Sequence, residues 1–128
     1  MILDSSALVA IALDEPGREA LVAKINAAET VGVAAPTLTE AAIVLSARTG
    51  QEASAVLAEL IAAADAVVIE FGPLHWREAI AAWWRFGTGR HPAALNFGDC
   101  IAYATAVLAD QPLLAIGEDF PRTDVHLA

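Results

Sequence analysis

Apolar positions along this chain fall into short unbroken runs, separated by longer stretches where they recur every three or four residues. The runs predict strands and the stretches predict helices. MILD, residues 1 to 4, is a short buried strand ending in an acid, and SSALVAIAL continues from it as a helix. DEPG, Asp14 to Gly17, is turn chemistry. A helix follows from Arg18 to Ala28, with Leu21, Val22 and Ile25 on its apolar side. VGVAAP, Val31 to Pro36, is a strand stopped by proline. Thr37 to Thr49 is a helix ended by Gly50, and Gln51 to Ala64 is the second helix of that hairpin. AVVIEF, Ala66 to Phe71, is a third strand, and Leu74 to Phe86 a helix ended by GTG. The loop GRHPAALNF leads into a helix running to Leu108. PLLAIG, Pro112 to Gly117, is a fourth strand, EDFPRTD a loop and VHL a final edge strand.

Short apolar strands alternating with helices predict parallel βαβ units covered on both faces. In open sheets of this kind, ligand sites form beyond the carboxyl ends of the strands, near the switch in strand order. The stretch LNFGDCIAYATAVL, Leu95 to Leu108, puts an acid, Asp99, at the first turn of a helix apolar on most sides. A carboxylate there needs compensation. Asn96 as a cap and the positive end of the helix dipole supply about 0.3–1 kcal/mol.

The 128 residues suit one domain, 1–128, and with 57% apolar residues the chain can build a core. No apolar run approaches the roughly 18 residues of a membrane span. The N-terminus has no basic leader and carries an acid at Asp4, so a cytoplasmic protein is expected. Cys100 is the only cysteine, which excludes an internal disulfide and thiolate zinc clusters. The formal net charge of −9 argues against a phosphate-binding surface over the whole body. Three of the seven basic residues, Arg77, Arg85 and Arg90, nevertheless fall between His75 and His91, beside Trp76, Trp83 and Trp84. Such asymmetry permits a local basic face on an acidic body.

Four acids fall at one predicted edge. Asp4 ends the first strand, Glu40 follows the second, Asp99 opens the helix before the fourth, and Asp119 follows that strand. Each has a purely structural reading. Thr37-Leu-Thr-Glu40 fits a capping box, Asp4 fits the cap of the helix from Ser5 or Ser6, and Asp119 fits a turn. Together those readings weaken, because four converging carboxylates repel one another and oppose folding. A hard divalent cation removes the difficulty: Mg²⁺ takes carboxylates and waters, and Mn²⁺ suits the same ligands. Such an ion lowers the proton affinity of a bound water and stabilises charge on a scissile phosphate.

The frame ILDSSALVAI, Glu40 within TLTEAAIVL, the block GRHPAALNFGDCIAYA and the ending PLLAIGEDFPRTDV resemble the VapC-type toxins of the PIN-domain ribonuclease family over essentially the full chain. The resemblance implies a three-layer α/β/α domain with a central, mainly parallel sheet. It also implies a Mg²⁺- or Mn²⁺-dependent endoribonuclease, the toxin of a type II toxin–antitoxin pair, blocked by a cognate VapB-type antitoxin and assembling as a homodimer. Carried over by position, Asp4 and Asp99 match the principal metal ligands, Glu40 and Asp119 the remaining acids, and Ser6 the hydroxyl beside the first acid. The expected reaction is hydrolysis of an RNA phosphodiester. Asp4 and Asp99 hold the ion, Asp119 completes the cage or binds a second ion, and Glu40 orients or deprotonates the water.

Other residues are read more modestly. Ser6 either hydrogen-bonds a ligand carboxylate or simply caps a helix. Arg85, Arg90 and His91 flank the acids in sequence and are candidates for RNA phosphate contacts, against the alternative of solvated surface charge. Trp76, Ile80 and Trp83 follow helical spacing and are expected in the core, whereas Trp84 lies off that stripe and is expected at an interface or under a base. Cys100 is expected to be a small buried hydrophobe, and Glu118 and Asp124 solvated loop acids, either a possible stand-in for Asp119. The helices between Thr37 and Ala64 are expected to leave apolar surface for an interface. Two other functions use the same acids differently: a single-strand DNA nuclease, and a non-catalytic binding module in which the acids only cap helices. An aspartyl-phosphate phosphatase is excluded, since Ser6 stands where its second acid belongs and Lys24 is the only lysine.

Overall fold

The computed structural model describes every residue from Met1 to Ala128. Four strands, β1 (Ile2–Leu3), β2 (Gly32–Ala34), β3 (Val67–Ile69) and β4 (Leu113–Leu114), form one parallel sheet in the order β3-β2-β1-β4. Six helices surround it: α1 (Ser5–Ala12), α2 (Arg18–Ala27), α3 (Ala35–Thr49), α4 (Ser54–Ala63), α5 (Pro73–Phe86) and α6 (Phe97–Ala109). A 3₁₀ turn at Phe120–Arg122 follows the last strand. The expected three-layer α/β/α class is therefore realised, with β1 and β4 side by side at the switch in strand order.

Alternation along the strands sorts side chains onto two cores. Leu3 and Leu114 join Leu8, Val33 and Leu45 under α1 to α4, whereas Ile2 and Leu113 join Ala102, Tyr103 and Phe120 under α5 and α6. Leu3, Leu8 and Leu113 are completely buried, each contributing about 1.5–3 kcal/mol. At Gly32 the sheet is pinched, since a Cβ there would stand 2.8 Å from Ile69 Cδ1 and 3.2 Å from Ile2 Cδ1.

Several elements differ from expectation. Pro36 does not stop a strand. It sits in the first turn of α3, where its missing N–H has no helical acceptor to lose, so the helix begins at Ala35. The cap is then Ala34, with no side-chain bond, so the Thr37–Glu40 capping box does not form. Thr37 instead turns inward and is buried, while Glu40 moves beyond the first turn. Strand β3 lies at the sheet edge, with Val67 and Val68 exposed rather than covered. VHL contributes a single parallel bridge, Leu127 to Leu113, in place of a full strand.

The Trp76–Ile80–Trp83 stripe is not core. These residues are 54%, 51% and 37% exposed, because α5 turns Ala82 and Phe86 toward the core it shares with α6. Trp84 is exposed as expected, and Cys100 is buried. Ile43 and Val56 on the α3–α4 hairpin are exposed apolar residues. No helix is long and apolar enough to cross a membrane.

Candidate functional site

Asp4 leaves β1 in extended conformation and caps α1. Its Oδ2 accepts hydrogen bonds from the Ser6 N–H at 2.9 Å and the Ser6 hydroxyl at 2.5 Å. The Ser6 Oγ in turn accepts from the Ile116 N–H at 3.0 Å, tying the first acid to the segment that leaves β4. Ser6 thus supports the Asp4 carboxylate and does not itself cap the helix. The other oxygen, Oδ1, is buried with no hydrogen-bond partner in a residue only 3% exposed. Burial pushes the Asp4 carboxyl above its usual range, against the pull of the Ser6 bonds.

Asp99 and Asn96 form a reciprocal capping box at the start of α6: Asn96 N–H to Asp99 Oδ2 at 2.8 Å, and Asp99 N–H to Asn96 Oδ1 at 3.0 Å. The cap does not compensate Asp99 fully. Burial still raises its proton affinity, and the charges of Asp4 and Asp119 raise it further. Glu40 is raised by burial first, then by Asp4 and Asp99, with the Ser5 hydroxyl opposing. Its carboxylate lies directly against the Cα of Gly98, where any side chain would collide with it. Asp119 is exposed at the start of the 3₁₀ turn and reaches the cluster through its field on Asp99.

The structure therefore brings Asp4, Glu40 and Asp99 within reach of one another's charge, with Asp119 acting on Asp99 from the exposed turn. All donors are hard oxygens, and the orphaned Asp4 Oδ1 is a buried acceptor facing no donor. Both features suit a divalent cation. No three of these side chains stand at a spacing that already encloses an ion.

A family model described as PIN domain matches residues 1–126. This chain belongs to the PIN domain family. Among curated PIN relatives it is similar to Ribonuclease VapC36 of Mycobacterium tuberculosis, 46% identical over 127 residues, covering 98% of this chain and 91% of that one. Ribonuclease VapC28 of the same species is 40% identical, covering 100% and 97%. Ribonuclease VapC of Mycolicibacterium smegmatis is 38% identical, covering 98% and 97%. Among solved structures, Mycobacterium tuberculosis VapC20, described as a sarcin–ricin-loop-cleaving toxin, superposes with a TM-score of 0.80. It covers 99% of this chain and 97% of that one, and at 15% identity the match speaks to the PIN fold alone.

On this PIN scaffold the basic residues divide. Arg85 is engaged away from the acids, paired with Asp124 at 2.5 Å and lying 3.4 Å from the Tyr103 hydroxyl. Tyr103 donates to Asp124 at 2.5 Å, so Asp124 is a structural partner rather than a free loop acid or a substitute for Asp119. His91 is held by structure too: its Nδ1 accepts from Ala93 N–H at 3.1 Å and its ring meets Phe86 edge-on. Arg90 lies over both Trp84, at 3.6 Å, and Trp83, at 4.3 Å, which fixes its guanidinium at the surface.

Gly98 escaped sequence reasoning, and Thr37 was read only as a cap. Gly98 makes room for Glu40; its signal was a glycine inside a helix, next to an acid, where glycine costs about 1 kcal/mol. Thr37 buries an unpartnered hydroxyl one turn before Glu40 and carries no sequence signal beyond its place in TLTE.

Proposed function

We propose that this protein is the toxin of a type II toxin–antitoxin pair, a cytoplasmic, single-domain endoribonuclease that depends on Mg²⁺ or Mn²⁺. The observation that carries this reading is Asp4 Oδ1, a carboxylate oxygen buried without a partner, in a residue whose charge acts on both Glu40 and Asp99. Full-length similarity to proteins named ribonucleases supports the reaction class.

Asp4 and Asp99 would hold the ion and Asp119 would close the cage from its exposed turn. A bound Mg²⁺ or Mn²⁺ supplies positive charge for the scissile phosphate and lowers the proton affinity of water. Ser6 keeps Asp4 in place through its two bonds, which fixes one side of the site before substrate arrives. Glu40, with a raised proton affinity, is suited to take a proton from the attacking water at neutral pH. Of Arg85, Arg90 and His91, only Arg90, resting on the tryptophans, has a side chain with no hydrogen-bond or ion-pair partner within the chain and is left to meet RNA phosphates.

A VapB-type antitoxin is the partner this reading calls for. A homodimer accords with the exposed apolar residues Val56 and Val67. The test is digestion of total RNA, with single-stranded DNA in parallel, by antitoxin-free wild type and Asp99→Asn in Mg²⁺, Mn²⁺ or EDTA. Discrete RNA fragments that need the ion and vanish in the variant are expected. A folded wild type that cuts nothing in either metal would return Asp99 to a helix cap.

A further inference from the structure

Phe97 is the most exposed large apolar residue of the chain, at 83%, and it stands two residues before Asp99. Its backbone is held by the Asn96–Asp99 capping box on either side, so the ring projects from a fixed base. On one side it borders a hollow with Glu40, Gly98, Pro36 and Ile43. On the other it walls an entirely apolar cleft of about 490 Å³ with Phe71, Trp76, Ile80 and Trp83. Phe97 and Ile101 line both, so the ring stands between the apolar cleft and a hollow that holds Glu40.

A ring left this exposed beside a charged site costs solubility and packs against nothing in the monomer. The hollow that Phe97 shares with Glu40 puts the ring beside one of the acids, within reach of a base flanking a phosphate held there. Trp83 also lines the cleft, and Arg90 lies over its ring at 4.3 Å. A cation beside the cleft, in a chain with 16 acids and 7 basic residues, suits the phosphate of a base held there. An apolar peptide would fill the cleft equally well but would give Arg90 and the acids no common partner.

Resting on the nuclease reading, we propose that Phe97 is the stacking platform for the nucleobase flanking the scissile phosphate, and that its cleft sets base preference at that position. It is a substrate-positioning residue. It takes no part in the bond-breaking step.

The experiment digests a single-stranded RNA pool of randomised sequence in Mg²⁺ with wild type, Phe97→Ala, Phe97→Leu and Phe97→Tyr. Rates are measured, every cleavage end is sequenced, and circular dichroism checks folding. Stacking one base is typically worth about fivefold to 150-fold in affinity. Phe97→Ala is therefore expected to lower kcat/KM by about tenfold or more, chiefly through KM, and to flatten the base preference at one position beside the cut. Phe97→Leu, apolar but without a π-face, should resemble Phe97→Ala, and Phe97→Tyr should restore both rate and preference. Leucine acting as well as tyrosine, or alanine leaving KM and preference unchanged while wild type cuts, would overturn the stacking role alone and leave the ring to a protein partner. A wild type that cuts nothing removes both readings together.

Discussion

The carboxylate of Glu40 rests on the Cα of Gly98, its Cδ just 2.6 Å from where a Cβ would stand. The missing side chain on α6 is what lets an acid from α3 reach the cluster around Asp4 and Asp99. Gly98→Ala is expected to push the Glu40 carboxylate, the free end of a flexible side chain, out of position while leaving the fold intact. Alanine even gains up to about 1 kcal/mol over glycine within a helix. Cleavage should fall by about 10- to 100-fold, the range of a displaced general base, with a melting temperature equal to wild type or above it. Undiminished cleavage in a folded Gly98→Ala protein would show that Glu40 need not sit where it does.

The acid cluster should work against the stability of the metal-free protein. Asp4, Asp99 and Glu40 all have proton affinities raised by burial, and Asp99 and Glu40 also by neighbouring carboxylates, so the folded chain binds more protons than the unfolded one. Stability in EDTA should therefore decline as pH rises through and past the ordinary carboxylate range, and recover on mild acidification. Asp99→Asn removes one of these charges and can keep the Asn96 bond. It should melt about 2–4 °C higher than wild type in EDTA at neutral pH. Adding Mg²⁺ should raise the melting temperature of wild type more than that of the variant. Calorimetry that finds Asp99→Asn less stable without metal would contradict the cluster's self-repulsion.

How far the sequence revealed this molecule depends on where local pattern and tertiary packing agree. Asp4 and Asp99 were legible because each sits at a strand or helix end whose apolar neighbours set the register. Glu40 was legible as an acid and misplaced as a cap, because Pro36 suits a first helical turn as well as the end of a strand. Trp76, Ile80 and Trp83 have the spacing of a core stripe, yet Ala82 and Phe86 make the contact with α6 instead. Periodicity shows that a face is apolar; it does not say whether the chain's own core covers it. The Tyr103–Asp124–Arg85 network was invisible, since its members are 18 and 21 residues apart and only the fold brings them together.

That network makes its own prediction. Tyr103→Phe removes the hydroxyl that donates to Asp124 and should cost about 1 kcal/mol, whereas Arg85→Ala, at a half-exposed pair, should cost less. Burial first, then the Asp124 bond, pushes the phenol well above its ordinary value. Stability tied to Tyr103 is thus complete below the unfolded phenol's pKa, about 10, and is lost as pH rises beyond it. Alkaline melts should show this loss in wild type and a shallower one in Tyr103→Phe. Equal slopes would remove the phenol from the account, and a loss of RNA cleavage in Arg85→Ala would show that this arginine serves the substrate after all.

Cys100 follows Asp99 directly and is buried, its thiol pushed up to about 11 from 9.0 by burial and then by the Asp99 charge. A two-unit rise leaves about a hundredfold less thiolate near pH 8, before any steric protection is counted. Iodoacetamide should therefore modify native protein at least about 100-fold more slowly than protein unfolded in urea. Cys100→Ala should retain metal-dependent cleavage, because the thiol bonds to nothing in the acid cluster, and any change should fall on base preference, since Cys100 also lines the apolar cleft beside Phe97. Asp99→Asn should quicken the native reaction modestly, since one of the two causes of the shift is gone. A native thiol that reacts as fast as the unfolded one would mean that the first turn of α6 opens readily, and with it the base on which both Asp99 and Phe97 stand.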